Sequence, residues 1–93
     1  MSNNTAITVG SKVKIEKGCN AMGITKGSTA EVKAITELGP DYSHSVRVEL
    51  HFLNSFASGK TFRLYARHIN RLSDTFVTLN SGVPSHKITV VLR

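Results

Sequence analysis

Arg63, Tyr65 and Arg67 recur at every second position, with Lys60 before them and Arg71 after. A guanidinium offers a planar fork of donors that fits a phosphate, and a phenol ring set between two of them gives a nucleobase a surface to stack on. No acidic residue interrupts the chain from Leu50 to Ser73. Arg47 joins this group if the preceding segment folds back on it as a hairpin, since residues facing each other across a ladder share a face. Arg47, Lys60, Arg63, Tyr65, Arg67 and Arg71 are therefore the candidate contacts for a polyanion. The competing reading is plainer: the arginines solvate an exposed sheet face beside Glu49, and Tyr65 covers the hairpin.

Other reactive side chains form no recognisable constellation. Cys19 is the single cysteine, and as a nucleophile it needs a base and a setting that stabilises the thiolate. His44, His51, His68 and His86 are scattered, share no signature with Cys19, and lack the spacing of a zinc site. The six acidic residues lie on separate segments. Lys17 to Ser28, KGCNAMGITKGS, is rich in glycine, but it has neither a P-loop nor a dinucleotide-binding context, so it reads as a flexible loop. The chain is expected to be non-enzymatic, with no cofactor and no metal. Two apolar loop residues, Met22 and Phe56, are candidate anchors for a partner protein. Phe56 has an alternative, which is to fold back with Leu53 and plug the end of a thin core.

The elements that must carry these residues are strands. Ile7, Val9, Val13 and Ile15 share one parity, interrupted at Gly10. Ala30, Val32 and Ala34 alternate with Glu31, Lys33 and Ile35 between about Thr29 and Leu38, and Ile35 on the polar side implies a bulge or strong twist. Val46, Val48, Leu50 and Phe52 alternate cleanly with Arg47, Glu49 and His51. After the connection Leu53 to Gly59, a fourth strand covers Lys60 to Ala66. A tight turn comes next at Arg67 to Asn70, where Ile69 and Leu72 stand three apart. A fifth strand spans about Arg71 to Leu79, and a sixth Lys87 to Leu92. Leu38 to Asp41 and Asn80 to Ser85 have turn chemistry. No segment has the apolar spacing of an amphipathic helix.

Composition sets the outer limits. The chain has 93 residues, 40% of them hydrophobic, which suits one domain burying only about 60% of its unfolded surface. Residues 1–6 are expected to form a flexible tail and 7–93 a single domain. Twelve basic residues against six acidic ones give a net charge of +6, which favours polyanionic or acidic partners. No apolar run is long enough to span a bilayer. The opening MSNNTAITVG lacks the pattern of a signal peptide, and a lone cysteine suits a reducing compartment, so a cytoplasmic location is expected.

Short strands, a long irregular loop after the first and a helical turn before the last describe the SH3-like barrel, and Gly10 to Leu72 resembles that pattern. Within it, GSTAEVKAI (Gly27 to Ile35) is similar to the KOW motif of ribosomal proteins and elongation factors, departing at Ala30, where that motif usually has a second glycine. GSKVKI together with SVRVELHFLNSFASGKTF is similar to the photosystem I reaction-centre subunit IV group, a barrel that docks on proteins. The resemblance implies an all-β barrel of five to six strands with a single 3-10 turn and an added C-terminal hairpin. Two functions are open on this frame. One is contact with RNA or single-stranded DNA, chiefly through phosphates. The other is a protein-interaction module, an assembly adaptor or inhibitor, docking on an acidic protein surface through its loops or an open sheet edge. The last strand, with Val91 breaking its alternation, also admits a weak homodimer in place of a monomer.

Overall fold

The computed structural model describes residues 6–39, 45–83 and 85–93. Among them six strands run in order: β1 Lys12–Lys17, β2 Thr29–Glu37, β3 Val46–Phe52, β4 Thr61–Ala66, β5 Val77–Asn80 and β6 Lys87–Leu92. Each pairs antiparallel with the next, and β6 returns to β1, so the sheet closes on itself. The chain is an all-β barrel, compatible with the small SH3-like pattern. Two 3-10 segments, Asn20–Met22 and Ile69–Ser73, punctuate it where the sequence pattern predicts one.

Alternation explains the core. In β3, Val46, Val48, Leu50 and Phe52 are all buried while Arg47, Glu49 and His51 face outward. Val13 and Ile15, Val77 and Leu79, and Ile88 and Val90 fill the interior from the other walls. Phe52 meets Phe62 edge to face, with ring centroids 5.5 Å apart at 90°, the arrangement that aligns a positive ring edge with a negative ring face. Leu72, buried on the second 3-10 segment, closes one end, and the Ile7 N–H donates to its carbonyl at 2.9 Å.

Several details differ from the pattern in the sequence. Val9 does not continue β1 inward: Gly10 takes a φ of 94°, the Ser11 N–H bonds the Thr8 carbonyl, and Val9 is left 61% exposed on the turn. The irregularity expected in β2 falls at Lys33. Register shifts between Val32 and Ala34, so Ala34 turns outward opposite Glu49, and Ile35 turns toward the core opposite Val48. The fifth strand begins later than expected because the chain first spends Ile69–Ser73 on seating Leu72.

The C-terminal hairpin is not an appendage but part of the wall, with β6 bonded to β5 on one side and β1 on the other. Closure leaves β6 bonded to its own chain along both edges, the usual way a small sheet disposes of its edges, whereas β4 meets β5 at the Tyr65–Asn80 pair. Of the anticipated tail over residues 1–6 only Ala6 is described. Pro40, Asp41 and Pro84 in the expected turns, and His44, lie outside the described residues.

Candidate nucleic-acid interface

The hairpin of β3 and β4 brings together part of the cationic group. Arg47 stands opposite Tyr65, Glu49 opposite Arg63, and His51 opposite Thr61, where the ring Nδ1 and the hydroxyl lie 2.9 Å apart. This wall is mixed in charge. Arg63 faces a carboxylate, and β2 adds Glu31 on its flank, paired to Lys33 at 3.4 Å. Arg47 is half-buried, and its Nε is shut off from water without a hydrogen-bond partner. Lys60 precedes β4 and Arg67 comes after it, so the two are separated by about 20 Å of extended chain.

Arg67 and Arg71 belong to a different surface. They line a groove of about 510 Å³ with Asp74, Phe76, Thr78, Asn80, Gly82 and Lys87. Each wall of it has a local cause. The Arg67 carbonyl accepts from both the backbone N–H and the hydroxyl of Ser45, at 3.1 and 2.7 Å, which fixes the exit of β4. Burial of Leu72 pins the second 3-10 segment, leaving its neighbour Arg71 exposed with Nη1 3.6 Å from the Asp74 carboxylate. Lys87 stands opposite Asn80, whose side-chain oxygen accepts the Gly82 N–H at 2.9 Å and holds the hairpin turn. Val77 and Leu79 point inward, so Phe76 and Thr78 point outward, and Phe76 is 57% exposed.

A second depression of about 510 Å³ adjoins the first, because Thr78 and Lys87 line both. Its far side is Lys17, Gly18 and Cys19, with Ser85 and Thr89 between. Lys17 reaches this position through a bulge: β1 pairs Ile15 with Val90 and then Lys17 with Thr89, leaving Glu16 as the extra residue. The two sides differ in charge balance. Glu31, Glu37 and Glu49 sit on β2 and β3 beside Lys33 and Arg47, whereas Lys14, Lys17, Arg67, Arg71 and Lys87 run over β1, β6 and the segment joining β4 to β5. Only Glu16 and Asp74 among the described acids accompany them.

The remaining candidates sit apart from these two depressions or at their margin. Phe56 does not plug the barrel: it is 81% exposed, and its neighbour Ala57 is the buried residue there. The small side chain suffices because the connection is tight, with Ser55 at a φ of 67° and the Lys60 N–H bonded to the Ala57 carbonyl at 2.9 Å. Met22 is half-buried against the core. A separate apolar depression of about 390 Å³, lined by Ile7, Val9, Ile35, Ile69 and Leu72, lies at the end of the barrel closed by Leu72. Cys19 is a half-buried free thiol, and among the described residues no three His, Cys, Asp or Glu side chains converge as a metal site does. No described helix is long and apolar enough to cross a membrane.

Phe76 and Lys87 are groove residues that sequence reasoning missed, and Lys17, in the loop read as merely flexible, lines the adjoining depression. The parity of Phe76 against Val77 and Leu79 marks it as outward-facing, so a signal for it exists in the sequence. Its significance depends on a neighbour relation, β6 lying between β5 and β1, which no local pattern announces. Compared with known proteins, the chain matches no family model, no curated protein and no solved structure.

Proposed function

We propose that this protein is a small non-enzymatic binding module for RNA or single-stranded DNA, held chiefly through phosphates. The observation that carries the reading is a concentration of cations: Arg67, Arg71 and Lys87 converge on one groove in which Asp74 is the one acid among the described residues, while Glu31 and Glu49 lie on the β2–β3 wall. Cations gathered in a concavity act on a polyanion together, whereas scattered ones are screened separately. The contact surface shifts accordingly. Arg67 and Arg71 stay central, Lys87 joins them, and Arg47, Lys60, Arg63 and Tyr65 become secondary contacts on the mixed wall. We read the barrel as SH3-like on the strength of its meander and the 3-10 segment between β4 and β5, and the location as cytoplasmic.

The test is a salt series. Fluorescence anisotropy with a short mixed-sequence RNA or DNA strand should give an affinity whose logarithm falls linearly with the logarithm of salt. Each phosphate contacted contributes a slope of roughly −0.7. Absence of any salt-sensitive binding at low ionic strength removes the reading. A second reading, docking on an acidic protein surface through loops, rests on Phe56, whose 81% exposure on the β3–β4 connection leaves a large apolar side chain uncovered. Partners recovered by pull-down that survive nuclease treatment and are lost in Phe56→Ser would favour it.

A further inference from the structure

Phe76 is a large aromatic ring in a groove whose other lining side chains are polar: two arginines, a lysine, a threonine, an asparagine and the Asp74 carboxylate paired to Arg71. At 57% exposure it gains little from burial where it stands. It lies in the same groove as Arg67, Arg71 and Lys87. Through Thr78 and Lys87 that groove runs on into the depression bounded by Lys17. From Lys17 on β1 the path crosses Thr89 on β6 and Thr78 on β5 to reach Arg67 beyond β4. Those are three strand spacings, about 14 Å, room for a short stretch of a single strand.

We infer that the two depressions form one track for an unpaired strand, in which Phe76 is the platform for a stacked base and Lys17, Lys87, Arg67 and Arg71 hold the flanking phosphates. The inference rests on the polyanion reading and narrows it to single strands. A duplex keeps its base faces covered by their neighbours and has no use for an exposed ring, while an unpaired base stacks on an aromatic whatever its identity. The hydroxyls of Thr78 and Thr89, paired across β5 and β6 between the two ends, supply donors along the path. The track therefore selects for strandedness and is indifferent to sequence.

The chain contains no tryptophan, so Phe76→Trp installs a sole indole in the groove. Its fluorescence should be quenched on adding a short mixed-sequence DNA strand and unchanged on adding inorganic polyphosphate, which offers charge without bases. Phe76→Ala should lower affinity for the strand by about 5- to 150-fold, the loss of one stacked base, with an unchanged salt slope. Lys87→Ala should reduce the slope by roughly 0.7. Wild-type protein should prefer the strand to its duplex. Phe76→Ala binding as wild type, no quenching in Phe76→Trp, or preference for duplex would each overturn the track and leave the phosphate-binding reading standing. Failure of wild-type protein to bind either form at low salt would remove both.

Discussion

Glu49 stands directly opposite Arg63 on the outer face of the β3–β4 hairpin. A carboxylate across the ladder from a guanidinium offsets its field, so the wall that looks most basic along the chain is locally mixed in space. Glu49→Gln measures how far that offset reaches. The groove lies two strands away, about 10 Å, close to one screening length at 0.1 M salt. Affinity for a short DNA strand should therefore rise less than about twofold at that ionic strength, measured by anisotropy. A larger gain would return the contact surface to β3 and β4.

Asp74 is the carboxylate inside the groove, paired to Arg71. Both partners are exposed, so the pair contributes within about 1 kcal/mol to stability. Asp74→Asn should leave the urea midpoint nearly unchanged and tighten strand binding by roughly two- to fivefold, because it releases Arg71 and removes a charge that repels phosphate.

Arg67→Ala and Arg63→Ala separate the two walls more sharply. Arg67→Ala should lower affinity for all strands alike and reduce the salt slope by roughly 0.7. Arg63→Ala should do less on both measures, since the residue already faces Glu49. Titrations at about 50 and 200 mM salt read both quantities.

Leu50 is fully buried at the middle of β3, opposite Val32 on one side and Phe62 on the other. Leu50→Ala should cost about 2–5 kcal/mol, a large share of the stability of a domain this small. A fall in the urea midpoint with an unchanged m-value checks it.

Gly18 tests the backbone. A Cβ there would collide with the Ile24 carbonyl, across the Cys19–Ile24 bridge that gathers the β1–β2 loop. Gly18→Ala should destabilise by about 1–3 kcal/mol, as overpacking against unyielding backbone does, with the same measurement as check.

Strand parity is legible wherever one face is buried. Val46 to Phe52 announces itself by alternation and Lys87 to Leu92 by its apolar run, and Ile35 on the wrong face signals the irregularity at Lys33. Adjacency is not legible. Whether β6 bonds to β1 or hangs outside the barrel depends on long-range closure, and the candidate site depends on it too, because Lys17 and Lys87 meet only through that pairing. Arg67 and Arg71 stand out by their types, but the side of the molecule they occupy is set by Leu72 being drawn inward. Phe56 shows the limit of composition: a thin core did recruit a neighbour, and the neighbour was Ala57.

The ladder between β4 and β5 consists of the Tyr65–Asn80 pair, whereas β2 and β3 are joined along their whole length. The hoop is thus fastened at one point by a single stitch, and thermal breathing should start there. Amide protons of Val77 to Asn80 should exchange with deuterium sooner than those of Val46 to Phe52. A strand lying over Thr78 would bridge the stitch, so ligand should slow that exchange and make the barrel harder to unlatch.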